Sequence, residues 1–171
     1  WSRSSERSSG ARSVAVPPIR FEDRLFVATT DGRLFALALD SGKKLWSRRV
    51  REGIESALLA PSSTPDSPGA RLVLGLATGE VRALDPIEGE TLWKVNLRSP
   101  IRGFQSDGRR IFVLSKDGTV HCISAEDGSA RWKHEGVGHD PPAPLLVGSS
   151  VIAAARADSV FAWEAESGAR I

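Results

Sequence analysis

One four-residue step recurs three times along this 171-residue chain: Gly42 to Trp46, Gly89 to Trp93, and Gly128 to Trp132. Another glycine stands ten residues ahead of each, at Gly32, Gly79 and Gly118. A fourth copy reaches Gly168, and the opening Trp1-Ser2-Arg3 echoes Trp46-Ser47-Arg48. Trp46 and Trp93 are 47 residues apart, Trp93 and Trp132 are 39. Periods of this size belong to stacked supersecondary units, each burying its apolar face only against its neighbours. Such arrays commonly present binding surfaces.

Within a repeat the apolar residues form short dense runs rather than helical stripes. The first set reads Leu25 to Ala28, Leu72 to Leu74, Ile111 to Leu114 and Val151 to Ala154. After a turn comes a second set: Leu34 to Leu37, Val81 to Leu84, Val120 to Ile123 and Val160 to Trp163. Runs this short, rich in β-branched and aromatic residues and bounded by Asp-Gly or Thr-Gly, predict strands. Their continuity predicts that both faces are covered, since a one-sided sheet alternates. Asp31-Gly32, Asp107-Gly108 and Asp117-Gly118 supply the positive φ angles of tight hairpins. A charged third strand follows in Lys43 to Arg49, Glu90 to Leu97 and Ser129 to His134, which suits an outer edge. A further strand precedes each pair, near Ile19 to Phe21, Ser56 to Leu59, Ile101 to Gln105 and Pro144 to Val147. No stretch sustains a 3.6-residue period, so almost no helix is expected.

These features predict an all-β chain, a β-propeller segment of four-stranded antiparallel blades. The repeats fall at roughly residues 14–50, 51–97, 98–135 and 140–171 of one domain spanning 1–171. Residues 1–13, rich in Ser and Arg, read as a loose terminal or interblade segment. Pro61 to Gly69 lengthens the second repeat and reads as a surface hairpin loop. The chain contains no methionine and reads as a processed or excised piece. Arcs of four blades leave exposed edges, so a parent ring of seven or eight blades is expected, the alternatives being a four-blade closed ring strained by twist and self-association of two arcs.

Charge and composition narrow the partners. A formal charge of +2, with Arg and Lys scattered over all repeats, gives no basic face to track phosphates, so nucleic acid is not expected. No run approaches the ~18 consecutive apolar residues of a membrane span. A single cysteine excludes an internal disulfide framework.

Ala36 to Trp46 and Ala83 to Trp93 resemble the pyrroloquinoline-quinone-like (PQQ-like) repeat, whose pattern is Ala-x-Asp-x-x-Thr-Gly-x-x-x-Trp. The resemblance covers nearly the whole chain in four copies, and the Gly-His and Trp-Asp pairs of WD repeats are absent. The aspartate position is filled by Asp85 but also by Ala38, Ser124 and Glu164; the threonine position holds Ser41, Glu88, Asp127 and Ser167. Only glycine and tryptophan hold firm. In this family the tryptophan docks between blades, which implies blade-docking roles for Gly42, Trp46, Gly89, Trp93, Gly128, Trp132 and Gly168.

The family includes BamB-like scaffolds of outer-membrane assembly, sensor propellers, and catalytic quinoproteins. The first class implies a non-catalytic protein-binding scaffold in the periplasm or on the extracytoplasmic face of the envelope, docking partners through loops or an exposed edge strand. The last implies a fragment of a PQQ- and calcium-dependent alcohol or sugar dehydrogenase. That class holds its quinone beneath a disulfide of adjacent cysteines, with Glu, Asn and Asp on calcium; here there is one cysteine and one asparagine, Asn96. No cofactor is therefore expected in this chain, and no catalytic or metal-binding residue is assigned.

Among reactive side chains, Cys122 stands where other repeats have alanine and reads as a small buried residue rather than a reactive thiol. His134, His139 and Asp140 match no zinc spacing and read as a solvated interblade loop; His121, within a strand, reads as packed. Arg98, Arg102, Arg109 and Arg110 form the densest basic cluster, a wet rim or a partner-docking patch.

Overall fold

A computed structural model describes residues 13–60, 69–138, 142–154 and 159–171. Each repeat folds as an antiparallel sheet whose strands pair in sequence order. The first holds β1 (Ile19–Phe21), β2 (Arg24–Ala28), β3 (Arg33–Ala38) and β4 (Lys44–Arg49). The second holds β5 (Ile54–Ala60), β6 (Arg71–Leu76), β7 (Glu80–Leu84) and β8 (Thr91–Asn96). The third holds β9 (Ile101–Ser106), β10 (Arg110–Ser115), β11 (Val120–Ser124) and β12 (Ala130–His134). The fourth has three strands among the described residues: β13 (Leu145–Val147), β14 (Ser150–Ala154) and β15 (Val160–Glu164). No helix occurs in the described residues. The long insertion joins β5 to its antiparallel neighbour β6, with Ala60 opposite Arg71; residues 61–68 of that expected loop, the opening Trp1-Ser2-Arg3 echo and most of the 1–13 segment lie outside the described residues.

First strands touch first strands: β1 lies against β5, β5 against β9, and β9 against β13. The sheets therefore converge on their inner strands and fan outward, the arrangement of propeller blades about an axis. Each blade is closed at its outer end by one turn, drawn four times over. The Gly42, Gly89, Gly128 and Gly168 amides donate to the carbonyls of Ala38, Asp85, Ser124 and Glu164 at 2.8–3.0 Å. All four glycines have φ between 66° and 75°, a region that side chains with a Cβ enter only at a cost. Where Asp85 occupies the aspartate position, its Oδ1 also accepts from the Ile87 and Glu88 amides at 2.7 and 2.8 Å. Ser124 does part of the same task through its hydroxyl, which accepts from the Glu126 amide at 3.2 Å. The aspartate is thus replaceable, because the backbone turn closes without it.

Three clusters make up the core, one between each pair of neighbouring blades. The expectation that both faces of every blade are covered holds only in the middle of the arc. In β6 and β10 every residue after the leading arginine is buried, whereas β2 and β3 alternate and β13 is mostly exposed. A blade in the interior has a neighbour on each side; a terminal blade has one.

Candidate functional site

The repeated tryptophan is the joint between blades. Antiparallel register sets three equivalent rows: Phe26–Ala36–Trp46, Val73–Ala83–Trp93 and Phe112–Cys122–Trp132. The middle residue must be small because the indole of the same row lies across it, and Ala36, Ala83 and Cys122 are all fully buried. Each ring then reaches the outer turn of the next blade. A Cβ on Gly89 would lie 2.8 Å from the Trp46 ring, on Gly128 2.7 Å from Trp93, and on Gly168 2.7 Å from Trp132. The indole N–H donates to the turn beneath it, at 3.4 Å to Pro86 O, 3.1 Å to Ala125 O and 3.2 Å to Ala165 O. Glycine admits the ring and the turn carbonyl fixes its orientation.

A second interblade contact lay hidden in the sequence. Two residues beyond the tryptophan, Arg48 donates through Nε to Gly89 O at 2.9 Å and through Nη2 to Glu88 O at 2.8 Å. Its Nη2 also meets Glu90 at 2.6 Å. His134 holds the equivalent place: its Nε2 bonds Gly168 O at 2.7 Å, and its ring stacks on Trp163 at 5.4 Å. Val95, the second copy, has no donor to offer. Because three residue types with different chemistry share the position, no pattern in the sequence marks it. His134 is therefore a structural clasp; its sequence neighbours His139 and Asp140 lie outside the described residues.

The arginine cluster does not form one patch. Arg98 and Arg102 stand at the start of β9, whereas Arg109 and Arg110 follow the Asp107-Gly108 hairpin at its far end. Five residues of extended strand put ~17 Å between the pairs. Arg98, in the left-handed region at φ 67°, is held by its amide donating to Asn96 Oδ1 at 2.7 Å. Arg110 is taken up in ion pairs: its Nε and Nη2 meet Asp107 Oδ2 at 2.8 and 2.6 Å, and its Nη1 meets Glu166 of the next blade at 2.5 Å. With only 15% of that side chain exposed, Arg110 is an interblade strut and is removed from the docking set.

Titratable groups support the same picture. Burial alone would raise the Asp107 carboxyl, but hydrogen bonds from the Arg110 side chain and from the Arg110 and Arg109 amides outweigh it and lower the pKa. Asp117 is likewise lowered, burial being outweighed by bonds from Ser115 and Thr119. Burial pushes His121 below its ordinary 6.5. All three bind protons more readily unfolded than folded, so their stabilising contribution is present at neutral pH and is lost on acidification. The His121 part begins to disappear below about pH 6.5 and the Asp107 and Asp117 parts below about pH 4. Urea titrations from pH 7 to pH 2 should show two stages of loss, with His121→Gln flattening the first and Asp107→Asn reducing the second. An unchanged profile in both variants would disprove these assignments.

Cys122 is fully buried, and burial pushes its thiol from 9.0 up to about 11. The thiolate is the reactive form, so a rise of this size alone cuts reactivity by ~100-fold at pH 8. Alkylation by iodoacetamide should be slower by at least that factor in the folded chain than in urea. Equal rates would place the thiol outside the core.

A shallow pocket of about 280 Å³, lined by Ala15, Thr30, Gly53, Ile54 and Glu55, offers a single charged group. The described residues contain no group of three or more His, Cys, Asp or Glu able to hold a metal ion, and no helix long and apolar enough to cross a membrane. Asn96 accepts from the Arg98 amide at 2.7 Å, and Cys122 pairs with Trp132 across β11 and β12.

Residues 1–74 and 77–171 match the family model described as outer membrane protein assembly factor BamB. The chain is 26% identical over 117 residues to the outer membrane protein assembly factor BamB of Escherichia coli K12, covering 66% of this chain and 30% of that protein. It is 32% identical over 116 residues to the quinoprotein alcohol dehydrogenase PedH of Pseudomonas putida, covering 63% of this chain and 18% of that one. The crystal structure of BamB from Moraxella catarrhalis superposes with a TM-score of 0.72 at 19% identity, over 92% of this chain and 51% of its own. The chain thus spans about a third of the E. coli relative and half of the crystallised BamB chain. Four blades joined by a tryptophan on the next blade's glycine turn, matched almost end to end by that model, establish that the chain belongs to the PQQ-like β-propeller family of the outer membrane protein assembly factor BamB.

Proposed function

We propose that this chain is part of a non-catalytic scaffold for protein–protein contacts in the bacterial cell envelope, acting in outer-membrane protein assembly. The observation that carries the reading is the near-complete match to the BamB family model. The geometry supports it: the residues repeated in every blade are spent on packing, which leaves turns of different composition on each blade to meet partners. In this reading partner segments bind across the turns or add to an outer edge strand. The location that goes with it is the periplasm or the extracytoplasmic face of the envelope. The match to PedH favours a second reading, a non-catalytic stretch of a dehydrogenase.

Capture of the intact parent from detergent-solubilised envelopes, followed by mass spectrometry and metal analysis, separates the two. The scaffold reading expects an outer-membrane barrel protein in near-stoichiometric amount. A parent that instead carries quinone and calcium and oxidises alcohols would overturn it.

A further inference from the structure

The outer strands sort the charge of this chain. β4, β8 and β12 hold Lys44, Arg48, Arg49, Lys94, Arg131 and Lys133 and no Asp or Glu, although the chain has 21 acidic residues. The two acids that flank these strands, Glu90 and Glu135, are paired with Arg48 and Lys133 at 2.6 and 2.9 Å. Lys44, Arg49, Lys94 and Arg131 stay exposed. Along the sequence these cations look scattered, because each repeat contributes only a few. Blade geometry brings them to one outer wall.

Each of these strands is also bulged at one place. Ala36 pairs Trp46 while Leu37 pairs Lys44, which leaves Leu45 as the extra residue; Leu92 and Arg131 are left over in the same way. A bulge bends its strand and blunts an edge against pairing, and an arginine there suits that task. Leucine does not, yet Leu45 and Leu92 are 42% and 43% exposed. The first blade and the second, which has a neighbour on either side, thus expose this residue equally. The exposure is built into the bulge and does not depend on which blades flank it. Arg48 of β4 reaches Glu90 at the head of β8, so the two leucines stand on adjoining strands of the wall.

We infer that the outer wall of the first two blades rests on an anionic bilayer surface, with Lys44, Arg49 and Lys94 on headgroup phosphates and Leu45 and Leu92 in the acyl boundary. Cations beside exposed apolar side chains are the chemistry of a lipid interface, where charge attraction and apolar burial act together. A partner strand would have to follow the open edge of β4 or β8, and the bulge interrupts that edge at the leucine itself. A convex wall touches a plane along a narrow strip, for which two adjoining strands are enough. The turns remain free for the protein partner of the scaffold reading. The two proposals fail independently, since vesicle binding requires no barrel protein.

Co-sedimentation of the chain with lipid vesicles tests the inference. The chain should pellet with vesicles of equimolar phosphatidylcholine and phosphatidylglycerol and stay in the supernatant with phosphatidylcholine alone. Raising salt from about 0.02 to 0.5 M should release it. Lys94→Glu should weaken the partition about tenfold. Arg20→Glu makes the same charge change on the inner strand β1 and should alter it by less than about twofold. Leu45→Ser combined with Leu92→Ser should also cost about tenfold, with the far-ultraviolet spectrum unchanged because both sites are exposed. A chain that ignores the anionic vesicles overturns the inference, and one that binds polyglutamate instead has an acidic polypeptide on this wall. Equal losses in Lys94→Glu and Arg20→Glu overturn it by reducing the effect to net charge. A leucine variant that binds like the wild type overturns it as well.

Discussion

Trp93→Ala is expected to destabilise the chain by about 3–5 kcal/mol, whereas Arg109→Ala should stay within ~0.5 kcal/mol. The indole is only 8% exposed and sits in the cluster between the second and third blades, among Val73, Ala83, Ile111 and Ile123. Truncation empties the wedge over Gly128 and strands the Ala125 carbonyl that its N–H serves at 3.1 Å. Both losses fall at a joint, so two blades lose their neighbour at once, and relaxation cannot refill a hole bounded by two rigid sheets. Arg109 is an exposed hairpin residue and carries no comparable burden. For a chain of this size each kcal/mol moves the melting temperature by about 2–4 °C, so the two variants should differ by roughly 10 °C. Trp93→Phe should fall between, keeping most of the apolar area but losing the donor. Equal melting shifts for Trp93→Ala and Arg109→Ala would end the account of tryptophan as the blade joint.

The next largest loss is expected at Gly118, in the β10–β11 turn. Its φ of 81° already disfavours any residue with a Cβ, by ~1–2 kcal/mol. In addition, a Cβ there would stand 2.1 Å from the Gly138 carbonyl oxygen. That atom is backbone and cannot swing aside, so the connector to the fourth blade must move. The Gly118 carbonyl accepts from the Val137 amide at 3.0 Å, and displacement breaks this bond as well. Gly118→Ala should therefore cost about 3–5 kcal/mol, strain and overpacking together. Gly136 supplies the control, with φ 92° and nothing within 4 Å of its would-be Cβ. Gly136→Ala should show the conformational part alone, ~1–2 kcal/mol. Chemical denaturation of both variants measures the difference, and a Gly118→Ala loss no larger than that of Gly136→Ala would refute the close approach.

The same geometry explains why some residues could be read in advance and others could not. Tryptophan and glycine recur because a ring and the turn beneath it meet at every joint. The Arg48, Val95 and His134 position lies on the same strands and serves the same turns, but an arginine fork and an imidazole reach a carbonyl in different ways and valine does not reach it at all. Arg98 to Arg110 look like a cluster only while the chain is a line; one strand's length between two hairpin ends divides it. Arg110 looks like a docking cation until the fourth blade brings Glu166 to it.

Strands, turns and repeat period were set by the sequence itself. A four-to-six-residue apolar run, a glycine at positive φ and a tryptophan four residues beyond are local instructions, and each can be followed without knowing what lies alongside. The tertiary structure alone decided which faces are covered. Leu25 and Leu72, or Val160 and Val81, are equivalent residues in equivalent strands, yet Leu25 is half-buried and Val160 exposed where Leu72 and Val81 are fully buried. Burial belongs to a residue together with its neighbours, and in a stacked array the neighbours are supplied by blades some 40 residues away in sequence.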